Sequence, residues 1–217
     1  LKSETFLKFT ANPLKYFAED AAAFVNLAAR KFPGGVYLLG HSEGTAIALR
    51  LADADPRIKG VALVGFMAQS LDVAMFEQTV YRPLPLFEGL DADKDSLLDG
   101  KELEGEEPLK KSLRAQLPLL DLDKDGKISR SEFMAGNFSN LLLDMSPSLP
   151  AYRAQEAQYR RPAEILRDSK FDVAFFQGEL DNQTPAYGVK AVEILNKAAL
   201  KKTNLHFRYF AGLGHAL

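Results

Sequence analysis

A serine in a glycine-flanked pentad, a histidine preceded by two nearby glycines and an acid ahead of that histidine are the residues of this chain best suited to nucleophilic chemistry. Gly40, His41, Ser42, Glu43 and Gly44 spell GHSEG, which matches the G-x-S-x-G nucleophile elbow. Five residues are a weak signal alone, and the context strengthens it. The apolar run from Val36 to Leu39 ends at Gly40 and a helical pattern begins at Glu43, so Ser42 falls where a tight strand-to-helix turn needs small neighbours. Such a turn exposes the hydroxyl and aims a helix N-terminus at the reacting centre, with the backbone N–H of Glu43 as one oxyanion donor. The competing reading is a serine that merely caps a helix. A serine nucleophile needs a base, and the chain has three histidines, His41, His206 and His215. His206 sits in an alternating strand pattern and reads as structural, while His41 belongs to the elbow. His215, with Gly212 and Gly214 before it and beyond the last apolar run, is the base expected. The acid expected is Asp181 in GELDNQTP, with Glu179 as its rival and a turn or cap role as the alternative for either.

A second set of residues has ligand spacing. Asp91, Asp93, Asp95, Asp99 and Glu102 are repeated by Asp121, Asp123, Asp125, Ser129 and Glu132. Both sets place oxygen ligands at loop positions 1, 3, 5, 9 and 12, the spacing of an EF-hand. Calcium is a hard ion that takes six to eight oxygens. Alternate carboxylates wrap one side, the backbone carbonyls of Leu97 and Lys127 at position 7 add another ligand, and the final glutamate closes the shell. Loops 91–102 and 121–132 are therefore expected to bind Ca2+ at two sites. Position 6 needs a sharp turn with positive φ; the second loop has Gly126 there and the first has Ser96, so the first is expected to be weaker unless Asp99 compensates. Leu98 and Ile128, at position 8 of each loop, suit the short β-bridge that joins paired loops.

The elements that must carry these residues read as follows. Asn12 and Pro13 open an amphipathic helix that Pro33, Gly34 and Gly35 stop. Val36 to Leu39, a helix from Glu43 to about Ala54, and Val61 to Val64 form a βαβ unit with parallel strands. After a long interval come a strand at Phe171 to Phe176, a helix at Pro185 to Ala199 and a strand at Leu205 to Phe210. The interval, residues 67–161, is richer in acids, is broken by Pro83 and Pro85 and holds the repeat, so it reads as an insertion. With 217 residues, 47% hydrophobic, and a formal charge of −2, the chain can bury a core and has no basic surplus for nucleic acid. No cysteine is present, which removes disulfides, thiolate zinc sites and cysteine nucleophiles. No apolar run is long enough for a membrane span. The start at Leu1 and the stop soon after His215 read as cut ends, so nothing follows about localisation.

The order Ser42, Asp181, His215 is that of the serine α/β-hydrolases, and from residue 14 onward the chain resembles the second half of one. GHSEG resembles the elbow, GELDxxTP the acid loop and GLGHAL the histidine loop. The resemblance covers residues 14–66 and 162–217, with the EF-hand pair where this family carries its cap. It implies an α/β fold: a discontinuous parallel-sheet core at 1–66 and 162–217, and an inserted α-helical cap at 67–161. The strands that precede the elbow in the family are absent, which leaves the edge beside Val36 to Leu39 unpaired and suggests a fragment or a strand-donating partner. The implied activity is cleavage of an ester, thioester or related acyl bond of a small-molecule substrate through an acyl-enzyme. Two alternatives stand beside it: a non-catalytic calcium-binding module on a hydrolase scaffold, and an aminopeptidase or acyltransferase with the same triad.

Overall fold

A computed structural model describes residues 4–142 and 149–215. They fall into two compact units, one of Leu1–Ala74 with Ser146–Leu217 and one of Met75–Met145. The second unit is narrower than the insertion expected at 67–161. The flanking segments belong with the sheet: Leu71 donates its N–H to Glu156 at 3.1 Å, Arg153 pairs with Asp72, and Tyr152 is buried with Leu14 and Ile47.

The sheet unit begins with two helices, α1 (Glu4–Ala11) and α2 (Pro13–Lys31), the second with proline in its first turn and no side-chain cap from Asn12. Then follow β1 (Val36–His41), α3 (Glu43–Ala54), β2 (Ile58–Val64) and α4 (Leu71–Phe76). The four strands β1, β2, β5 (Asp172–Gly178) and β6 (Leu205–Phe210) lie in that order and are parallel throughout. A right-handed crossover between successive parallel neighbours returns its helix to the same face each time. Accordingly α2, α3, α9 (Pro162–Asp168) and α10 (Tyr187–Leu195) contribute Val25, Leu49, Ile165 and Val189 to one core, where they meet Leu63 and Phe175 of the strands. The last helix ends in a π-helical turn, Asn196–Leu200, so the expected helix at Pro185 to Ala199 starts two residues later than anticipated.

The Met75–Met145 unit holds a π-helical turn at Glu77–Tyr81 and the helices α5 (Leu84–Leu90), α6 (Pro108–Leu120) and α7 (Arg130–Leu142). Two-residue strands β3 (Leu97–Leu98) and β4 (Ile128–Ser129) pair antiparallel, with Leu98 opposite Ile128 as their shared loop position predicts. Both residues are fully buried, in a core with Phe87, Leu103, Leu113 and Phe133. Whereas the second acidic loop runs directly into α7, the first is entered from α5 and followed by turns. Gly105, at φ 121°, breaks the chain there before α6 begins. The remaining helix, α8 (Leu149–Glu156), packs on the sheet unit.

Candidate functional site

Ser42 sits between β1 and α3 with φ 54° and ψ −124°, a backbone conformation that L-residues rarely hold. The surroundings impose it. The Ser42 N–H donates to the Val64 carbonyl of β2 at 2.9 Å, and its own carbonyl accepts from Thr45 N–H at 3.0 Å and from the Thr45 hydroxyl at 2.6 Å. A Cβ on Gly40 would stand 2.4 Å from the Gly44 carbonyl oxygen, so the close crossing of strand and helix excludes any side chain at 40. Gly44, by contrast, has open space around it. The Ser42 hydroxyl makes no capping hydrogen bond to α3, which sets aside the cap reading, and the N–H of Glu43 lies at the free N-terminus of that helix.

Asp181 and His215 form the pair that the sequence anticipates. His215 Nδ1 lies 2.9 Å from Asp181 Oδ2 and 3.1 Å from Oδ1. A carboxylate only accepts, so Nδ1 carries a proton, and in the neutral imidazole Nε2 has the lone pair. Asp181 is buried yet its carboxylate accepts four further hydrogen bonds, from the Gln183 and Thr184 N–H groups on Oδ1 and from the Thr184 hydroxyl and the Gln177 amide on Oδ2; the Gln177 amide also donates to the Thr184 carbonyl. Burial pushes its carboxyl up, but the Thr184 N–H, His215, the Thr184 hydroxyl and the Gln183 N–H together outweigh that and hold it below the usual carboxylate range. Glu179 is exposed and faces Lys190 at 3.4 Å, and His206 is exposed near the start of β6, 3.9 Å from Asp172. Neither joins the pair.

Three further residues fix this geometry. Gln177, fully buried on β5, accepts from Phe66 N–H at 3.3 Å while it donates to Asp181 and the Thr184 carbonyl, tying the acid turn to the segment after β2. Thr184 Oγ1 is 3.2 Å from His215 Nδ1. Gly65, at φ 59°, presses so closely on the imidazole that a Cβ would lie 3.2 Å from its Nδ1 and Cε1. Ser42 lies between two contacts of that imidazole loop: its neighbour His41 donates Nε2–H to the His215 carbonyl at 3.0 Å, and its bonded partner Val64 precedes Gly65. An isolated glutamine in the apolar run FDVAFFQG was the available signal for Gln177. Ala216 and Leu217, the end of GLGHAL, lie outside the described residues.

The acidic loops match bond for bond. Asp91 Oδ2 accepts from Ser96 N–H at 3.1 Å and Asp121 Oδ2 from Gly126 N–H at 3.0 Å. Asp95 Oδ1 accepts from Leu97 N–H, and Asp125 Oδ1 from Lys127 N–H, both at 2.8 Å. Glu102 accepts from Ala92 and Asp99 N–H groups, and Glu132 from those of Leu122 and Ser129. Positive φ falls at Lys94 and Ser96 in one loop and at Lys124 and Gly126 in the other. Asp91, Asp93 and Asp95 bring ligand atoms within 4.8 Å of one another, as do Asp121, Asp123 and Glu132. Asp99 and Glu102 stand outside the first group and Asp125 outside the second. The buried Oδ1 of Asp91 has no hydrogen-bond partner, which fits a cation as the missing one. The Ser129 N–H, first among several donors, holds the Glu132 carboxyl below its usual range.

No family model and no curated protein matches the chain. Among solved structures it is similar to a monoacylglycerol lipase of Paleococcus ferrophilus, with 17% identity, a TM-score of 0.42, and coverage of 91% of this chain and 66% of that one. It is similar to the esterase domain of a Rhodothermus marinus protein, with 14% identity, a TM-score of 0.46, and coverage of 91% and 60%. An alpha/beta hydrolase enzyme from a Medee basin deep-sea metagenome shows 16% identity and a TM-score of 0.45, over 90% and 63%. The chain thus spans less than two thirds of the length of each of these. Likenesses at this identity and TM-score leave family, activity and substrate unassigned.

Proposed function

We propose that this chain is part of a serine hydrolase that cleaves an ester, thioester or related acyl bond through Ser42, His215 and Asp181, and that its Met75–Met145 unit is an EF-hand pair for calcium. The observation that carries the first reading is the backbone of Ser42: a strained conformation, fixed by three backbone-directed hydrogen bonds, leaves its hydroxyl uncommitted. Strain of this kind costs about 1–3 kcal/mol and persists where the surroundings over-determine it.

In the reaction, Asp181 holds His215 with its proton on Nδ1, and Nε2 takes the Ser42 proton as Oγ attacks the acyl carbon. The N–H of Glu43, at the α3 N-terminus, donates to the oxyanion that forms. Collapse expels an alcohol or thiol, which leaves with the proton from His215. Water then attacks the acyl-enzyme with the same base, releasing a carboxylic acid and restoring Ser42. Calcium, held by Asp91, Asp93, Asp95, Asp99, Glu102 and the Leu97 carbonyl, and by Asp121, Asp123, Asp125, Ser129, Glu132 and the Lys127 carbonyl, would neutralise carboxylates that otherwise repel one another.

A fluorophosphonate probe on the full-length protein tests the catalytic reading. Labelling should map to Ser42, vanish in Ser42→Ala and fall about a hundredfold or more in His215→Gln. An unlabelled wild type that still binds calcium would favour a non-catalytic calcium module instead.

A further inference from the structure

Away from the triad, the sheet unit has an open cavity of about 910 Å³ between α3, α8, α9 and the end of α10. None of Ser42, Asp181 and His215 lines it. Five arginines do, and four of them hold a carboxylate at 3.0 Å or closer: Arg153 with Asp72, Arg160 with Asp53 at 2.7 Å, Arg161 with Glu164 at 3.0 Å, and Arg167 with Asp168 at 2.9 Å. Arg50 differs. Its guanidinium lies 4.7 Å from the Tyr159 ring and only 4.0 Å from Glu156, whose carboxylate is already taken by the Leu71 N–H. Its Nη1 is buried and has no hydrogen-bond partner. A buried charged donor without an acceptor is unfavourable, so an acceptor that enters the cavity gains a ready-made, half-desolvated partner.

From this we infer that the cavity binds a monocarboxylate with an apolar tail, its carboxylate on Arg50. Ala68, Pro162, Leu195 and Leu200 supply an apolar wall for the tail. Asp72, Glu156 and Glu164 line the same space, and Asp53 and Asp168 face Arg160 and Arg167, so the five arginines meet five carboxylates and leave no positive surplus for a dianion, which separates a carboxylate from a phosphate. The inference is independent of the catalytic reading, and the test is run on the Ser42→Ala protein so that turnover plays no part.

Hexanoate, hexanol and inorganic phosphate are the probes, titrated by calorimetry and by amide chemical-shift mapping. Hexanoate should bind saturably and shift residues around Arg50, with hexanol about tenfold weaker and phosphate weaker still. Arg50→Met should weaken hexanoate about tenfold or more, and Arg50→Lys by less, because lysine keeps the charge without the planar fork. Ala157→Trp, which fills the cavity and retains Arg50, should block binding even if Arg50→Met fails to fold. Tighter phosphate than hexanoate, equal affinity for hexanol, or hexanoate binding unmoved by Ala157→Trp would each overturn the proposal, since water alone would then satisfy Arg50.

Discussion

Ser42 holds a conformation suited to glycine, so replacing it separates stability from chemistry. Ser42→Gly should raise stability by about 1 kcal/mol, as relief of strain outweighs the added freedom of the unfolded chain, while fluorophosphonate labelling is lost. A thermal melt beside the labelling assay reads both, and a lowered melting temperature would show that the backbone there is not strained. Gly65 is the reverse case. In Gly65→Ala the added methyl, in a positive-φ position and 3.2 Å from the imidazole, should slow Ser42 labelling by about tenfold or more with the triad intact. Asp181 adds a pH signature. Its folded pKa lies below the unfolded value of about 3.9, so its stabilisation is complete above that pH and is lost as pH falls through the depressed folded pKa. Asp181→Asn should therefore flatten the acid limb of stability against pH, and an unchanged limb would count against the hydrogen-bonded carboxylate. Asp181 and His215 were legible in the sequence because their loops carry glycine and turn residues. Gln177, Thr184 and Gly65 were not, because what they do is defined by neighbours that are 111, 31 and 150 positions distant, and the one local signal, a lone glutamine in an apolar run, names no partner.

At the scale of elements, the loops were legible down to the pairing of Leu98 with Ile128, because ligand spacing fixes backbone register. The turns that follow the first loop were not, since Gly105 sits three residues past Glu102 in an otherwise helix-compatible acidic run. The compact unit Met75–Met145 is narrower than the segment 67–161 read from the sequence for a related reason: α8 looks polar in sequence, but Tyr152 and Glu156 on one face of it reach α2, α3 and the start of α4. At the same left-handed position the first loop has Ser96 and the second Gly126. Ser96→Gly should tighten calcium at the first loop by about fivefold, near 1 kcal/mol, and leave the second unchanged. Glu132→Gln should correspondingly cost more of the calcium-dependent rise in melting temperature than Glu102→Gln. Melts with calcium, magnesium and chelator decide it; a wild-type transition unmoved by saturating calcium would sink the metal assignment, and a larger loss from Glu102→Gln would reverse the ranking of the loops.

The strand order of the sheet unit has a consequence for the molecule as a whole. Because β1, β2, β5 and β6 follow one another across the sheet, every crossover helix falls on the face that holds Leu38, Leu63, Phe175 and Phe207. By the same register the opposite face carries Tyr37, Leu39, Ala62, Val64, Ala174 and Phe176, and among the described residues no core cluster covers it. Tyr37 is 71% and Leu39 72% exposed, on a strand whose outer edge has no partner in the sheet. An apolar face next to an unpaired parallel edge is a template for other strands, and a net charge of −2 offers little repulsion between copies. The 217-residue chain should therefore self-associate at concentrations of about 50 μM, with apolar burial as the driving force. Leu39→Lys places a charge on the bare face and at the edge without touching the helix-covered core, so it should shift the chain toward monomer and leave the intrinsic melting transition nearly unchanged. Sedimentation velocity over a concentration series distinguishes the outcomes. A wild-type chain that stays monomeric throughout would mean that this face is closed by residues of its own chain, and a Leu39→Lys variant that associates as strongly as wild type would place the contact elsewhere.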